Sequence, residues 1–163
     1  MDFKKVLSTS ILLLWLVIIF LFSNQNAITS EQVSDKVTSK TLTTVSEVTG
    51  KNLTESRKQE LIVNSRFVVR KTAHFTLYFI LGLLIYTTLR SYGISKNAVI
   101  YSILFCIISS IIDEFHQLFS FGRTSRLLDI FIDTSGSVIS LLFVNLISYK
   151  KLKKTCFFKQ KMV

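Results

Sequence analysis

Four apolar runs dominate this 163-residue chain, at about 6–22, 72–89, 97–112 and 127–148. Each falls near the roughly 20 residues that cross about 30 Å of hydrocarbon. With 49% apolar residues and a positive mean hydropathy, the chain is too short for several domains and too apolar for an ordinary soluble one. The expected fold class is an all-α integral membrane protein with four transmembrane helices. The first run follows Lys4 and Lys5 like a signal peptide, but residues 22–27 make a poor cleavage site, so it reads as a retained anchor. The third run alone supplies only about 24 Å at about 1.5 Å per residue. Its helix must therefore continue through Asp113, Glu114 and His116 to Gln117, giving a span of 97–117. Residues 1–149 form the membrane domain, 23–71 its outer loop, and 150–163 a basic tail.

Ionisable residues lie where a bilayer should exclude them. Arg70, Lys71 and His74 open the second span, Asp113, Glu114 and His116 close the third, and Asp129 and Asp133 lie inside the fourth. Each costs roughly 2.5 to 3.5 kcal/mol to bury even on lenient insertion scales. Such a set marks a site.

Orientation rests on two details, because the Lys and Arg totals on the two sides tie. Lys4 and Lys5 precede the first span with no cation after it until Lys36, and the tail lysines abut the last span. Both termini are expected to be cytoplasmic. The start of span two, the end of span three, residues 118–126 and the start of span four then share the outer face, where Ser23, Asn24 and Gln25 join them. One extracytoplasmic polar cluster follows.

Helical spacing selects the side chains that converge. Arg70, His74 and Tyr78 are four apart, with Lys71 one turn before His74. Asp113 shares a face with His116 and Gln117. Arg126, Asp129, Asp133, Gly136, Ser137 and Ser140 form a polar or small stripe on span four. Asp133 sits about 9 Å into that span and needs a partner from Arg70, Lys71, His74, Arg123 or Arg126. Gly136 and Ser140 suit close approach by a neighbouring helix. A structural reading competes throughout, since intramembrane charges can simply pair and end charges can snorkel. Tyr78 also suits an interfacial aromatic, and Arg126 a solvated loop cation.

These residues carry a resemblance. The stretch 70–75 with Tyr78, Leu81 and Gly82, the stretch 113–119 followed by Gly122 and Arg123, and then Asp129, Asp133, Thr134 and Gly136 resemble the VanZ-like family. The exit of the first span at 22–25 fits as well. The resemblance implies a multi-pass protein of the bacterial cell membrane, in a family whose namesake is associated with low-level teicoplanin resistance. It supplies no reaction. Where the family commonly has a proline before the Gly-Arg pair, this chain has Phe121, which implies a less rigid loop.

The chemistry of the cluster suggests an anionic ligand. Arg70, Lys71, Arg123 and Arg126 at the membrane surface suit phosphate, pyrophosphate or carboxylate, so a lipid headgroup or lipid-linked wall precursor is the expected partner. Tyr78, Gln117, Asp129 and Asp133 complete the expected ligand-binding set. Asp113, Glu114, His116 and His74 can serve as acid and base if the protein is an enzyme. No nucleophile motif accompanies them. Recognition, headgroup chemistry and a purely structural cluster stay open as alternatives. The carboxylates and histidines hold enough donors for zinc or manganese, but their sequence spacing matches no known ligand geometry, so no metal is expected. No Gly-rich phosphate loop or other cofactor signature appears. A transporter is disfavoured because spans one and two carry no charge through their middles.

The remaining segments add less. Cys106 is expected to pack as a small apolar residue and Cys156 lies in the tail, so neither suggests a disulfide. The tail, with six lysines and Phe157 and Phe158 among them, suits anionic inner-leaflet lipid better than nucleic acid. In the outer loop, Thr29 with Gln32 resembles a capping box. Val33, Val37, Leu42, Val45 and Val48 recur at helical spacing before Gly50 and predict an amphipathic helix. A second helix from Thr54 is expected to run into span two, with Glu55, Arg57, Lys58 and Glu60 as a solvated face.

Overall fold

The computed structural model describes residues 2–50, 53–119 and 127–160, with 147–160 described as helical backbone only. The described residues form five helices and no strand: α1 Phe3–Ser23, α2 Ala27–Thr49, α3 Glu55–Ser91, α4 Ala98–Gln117 and α5 Leu127–Gln160. Among the described residues, four stretches are long and apolar enough to cross a membrane: Phe3–Ser23, Glu55–Ser91, Ala98–Gln117 and Leu127–Leu146. α4 carries its helix through Asp113, Glu114 and His116 to Gln117, which its short apolar run requires. α3 has 37 residues, about 55 Å at about 1.5 Å per residue, so it is nearly twice the length of a membrane core.

The bundle is polar inside and apolar outside. Ser102, Ser110, Asp113, Asp133, Ser137 and Ser140 are buried, while Leu13, Leu14, Ile108, Ile112, Phe131 and Phe143 are exposed. In water this arrangement would waste apolar area, but in lipid the outward residues find an apolar solvent. Helix association then depends on close packing and polar contacts. Cys106 sits in the small apolar core with Ile19, Tyr78, Leu81 and Ile85.

α3 is the hub, packing against each of the other helices and most extensively against α5. The stripe of small residues on α5 makes that contact. A Cβ added to Gly136 would overlap the Phe75 carbonyl, and one added to Gly82 would press on Ser137 and Ser140. The helices approach this closely because neither glycine has a side chain. On the other side, the Trp15 indole donates to the Leu77 carbonyl at 3.0 Å, and Ser8 and Ser91 share a hydrogen bond of 3.0 Å. α1 is thereby held along α3 at two levels.

α2 overturns the expected capping box and fixes a packing face that helical spacing leaves open. Its cap is Asn26, whose side chain accepts from the Thr29 amide at 2.8 Å, so Thr29 lies inside the helix and does not cap it. Its valines are also not the packing face: Val33, Val37, Val45 and Val48 are exposed, while Ser30, Ser34 and Thr38 are buried. Residues four apart share one face, and these three hydroxyl residues are short enough to bring α2 close to α3. Ser34 satisfies its hydroxyl on the Ser30 carbonyl at 3.0 Å, and Thr38 bonds Ser65 of α3 at 3.0 Å. Gly50 ends the helix with a left-handed φ of 66°, a conformation that costs glycine nothing.

Candidate functional site

The site is built along α3, one cation or histidine after another. Arg66 grips Asp35 of α2 with two bonds of 2.7 Å and reaches Glu31 at 3.1 Å. The hydrogen bond from Arg66 holds the Asp35 carboxyl below its ordinary 3.8 against a smaller opposing effect of burial. Lys71 is buried, pairs with Asp129 of α5 and lies over the Phe67 ring at 5.3 Å. His74 Nδ1 stands 3.5 Å from Asp133 Oδ1. Arg70, half-buried between these partnered residues, has no ion-pair partner among the described residues.

These positions refine the expected grouping. Lys71, His74 and Tyr78 turn toward α4 and α5, whereas Arg70 faces the groove against α1 and α2. His74 belongs to both surroundings, because it lines that groove and also meets Asp133. Spacing of four residues places Arg70, His74 and Tyr78 on one broad stripe. The 100° turn per residue splits that stripe between two neighbours.

A carboxylate centre lies beside His74. Asp133 is 1% exposed, and its Oδ2 accepts from the Ser110 hydroxyl at 2.9 Å. Asp113 accepts from Gln117 Nε2 at 3.1 Å and lies beside Ser23. One donor atom each from His74, Asp113 and Asp133 falls within 4.8 Å of the others. Tyr78 is fully buried, with its hydroxyl near Ser110, Asp113 and Asp133, so it is not an interfacial aromatic. Glu114 is buried on α4, next to Asp113. His116 is half-buried, its ring 4.9 Å from that of Phe20, and it borders a cavity of about 280 Å³ together with Asp113 and Tyr78.

Arg123 and Arg126, with the Phe121 loop, lie outside the described residues. Two site residues escaped the sequence reading. Ser110, in the C-terminal half of the third span, bonds Asp133, and its place three residues before Asp113 was the available signal. Arg66 locks α2 onto α3, and its spacing of four from Arg70 was visible.

The groove beside Arg70 has a volume of about 620 Å³. Its α3 wall runs from Val68 to Ile80, about 18 Å along the helix. Trp15 and Phe22 of α1 and Val33 and Val37 of α2 supply much of the rest, so the walls are mainly apolar. Arg70 and His74 are its basic side chains.

Four membrane-length helices enclosing a buried cluster of carboxylates, histidine and lysine fit a multi-pass membrane protein with an internal polar site. The family model described as VanZ/LLP1 matches residues 9–148. The chain belongs to that VanZ-like family, and the match takes in every described site residue. No curated protein and no solved structure matches the chain.

Proposed function

We propose that this VanZ-like envelope protein recognises an anionic lipid headgroup or a lipid-linked cell-wall component, with the acyl or prenyl chain in the groove and the headgroup at Arg70. The observation that carries this reading is the distribution of partners along α3. Arg66 and Lys71 are neutralised by Asp35 and Asp129, while Arg70 opens on an apolar groove without a carboxylate. A guanidinium offers a planar fork of donors suited to phosphate or carboxylate. A groove about 18 Å long gives the chain of such a molecule an apolar wall. Binding at the outer face, with both termini cytoplasmic, is part of the proposal, as is an effect on glycopeptide sensitivity through occupancy of a precursor.

Acid or base chemistry on the bound headgroup is the second reading. It is favoured by His74, which borders the groove and faces the carboxylate centre. The test is native mass spectrometry of protein purified from bacterial membranes. Wild-type protein is expected to carry an anionic phospholipid or polyprenyl species that Arg70→Ala loses and Arg70→Lys partly keeps. Equal lipid occupancy in wild type and Arg70→Ala would sink the assignment. Turnover of the lipid by wild type but not by His74→Gln, with binding retained, would select the enzymatic reading.

A further inference from the structure

We propose that His74, Asp113 and Asp133 bind a divalent transition-metal ion of the manganese or zinc type. Three helices deliver the donors, α3 with His74, α4 with Asp113 and α5 with Asp133, and one atom from each lies within 4.8 Å of the other two. Two buried atoms single this place out from an ordinary charge cluster. His74 Nδ1 and Asp133 Oδ1 have no hydrogen-bond partner, although Asp133 is 1% exposed. They face each other at 3.5 Å. That exceeds the 2.7–3.2 Å range of a sound N–H···O bond. It matches the edge of a coordination tetrahedron, about 3.4 Å when both metal bonds are about 2.1 Å.

The surroundings agree with a metal. Asp113 and Asp133 are two desolvated carboxylates, and the nearest lysine, Lys71, is already engaged by Asp129. Adjacent buried carboxylates repel each other, and a divalent ion offsets both charges. Their outer donors are also arranged as around metal ligands. Ser110 takes Asp133 Oδ2 and Gln117 takes Asp113 Oδ2, which fixes each carboxylate plane. One imidazole and two carboxylates form a mixed N and O set, suited to zinc or manganese more than to calcium, which takes six to eight oxygens. Three protein ligands leave a coordination position open. This inference does not depend on a lipid in the groove.

The test uses full-length, tag-free protein in detergent micelles, stripped with a chelator and titrated with Zn²⁺ or Mn²⁺ alone. Binding is followed by calorimetry, and by electron paramagnetic resonance for Mn²⁺. One ion per chain is expected for wild type and for Glu60→Gln, whose side chain is on the surface. Asp133→Asn and His74→Gln are expected to weaken binding more than 100-fold. Ser110→Ala, which leaves all three ligands in place, is expected to weaken it about 10- to 100-fold. Circular dichroism of each stripped variant establishes that it is folded. Failure of folded wild-type protein to bind either ion stoichiometrically overturns the proposal. So does unchanged affinity in the ligand variants that fold, or in Ser110→Ala.

Discussion

The Lys71 and Asp129 pair offers the sharpest energetic test of the buried polar interior. Each residue is 8% exposed, and Lys71 has no other carboxylate partner among the described residues. Lys71→Met leaves Asp129 as a desolvated carboxylate, and Asp129→Leu leaves Lys71 as a desolvated ammonium. Breaking a buried pair from one side costs about 3–5 kcal/mol. The lower end applies here, because a lone partner can shed its charge by proton exchange, so about 3 kcal/mol is expected for each single variant. Replacing both together removes the charges and keeps the volume apolar, and the double variant should lie within about 1 kcal/mol of wild type. The resulting coupling is about 5 kcal/mol.

The assay is reversible unfolding in mixed micelles by titration with a denaturing detergent, read by far-UV circular dichroism. Arg57 and Glu60 supply the comparison, with an equally direct contact of 2.7 Å but side chains 56% and 55% exposed. Their coupling should not exceed about 0.5 kcal/mol. Additive effects of the Lys71 and Asp129 substitutions, with a coupling as small as that surface pair's, would refute the reasoning.

Two further outcomes follow from the packing. Asp35 is held below its ordinary value of 3.8 by Arg66, so its stabilisation of the α2–α3 contact is fully present above that value and lost as pH falls through the lower folded value. Protection of the α2 amides against hydrogen exchange, taken relative to the intrinsic rate at each pH, should therefore fall as the pH is taken below about 4, and Asp35→Asn should already show the lower protection at neutral pH. Gly136→Ala should destabilise by about 1–3 kcal/mol, because its Cβ meets the Phe75 backbone and that helix must move as a whole. Gly82→Ala should gain more than Gly136→Ala from a second substitution, Ser140→Ala, since one of its obstacles is the Ser140 hydroxyl; thermal unfolding of the two pairs checks the order.

The spans were legible because lipid imposes a length and a polarity that few soluble helices share. The reach of α3 upstream to Glu55 was legible too, since no proline or glycine interrupts residues 55–81. The packing face of α2 was not. A periodic valine stripe normally marks the buried side of a helix because water is its alternative. Beside a bilayer, lipid or an apolar groove can take those valines, and Ser30, Ser34 and Thr38 win the helix contact by being short. Spacing on α3 grouped Arg70, His74 and Tyr78 but did not give their division between neighbours. Lys71 and Arg70 are adjacent in sequence, about 100° apart around the axis, and they meet different helices. Ser110 stayed hidden because a serine in an apolar run is ordinary until a carboxylate on another helix is placed against it.

That division of α3 makes the two proposals separable by mutation. Arg70 borders the groove and is not among the three proposed metal ligands, whereas Asp133 is a proposed ligand that does not line the groove. Arg70→Ala should therefore remove the lipid and keep the ion, and Asp133→Asn should remove the ion and keep the lipid. His74 is a proposed ligand that also borders the groove, so His74→Gln should remove the ion and leave the lipid held at Arg70. If the ion and the lipid also help each other bind, each should raise the other's affinity by the same factor. The route for that coupling is the His74 ring, with one edge on the groove and Nδ1 toward Asp133. Equal lipid affinity with and without the ion would leave two independent sites sharing a wall. A reciprocal change that vanishes in His74→Gln would make the ion part of headgroup recognition.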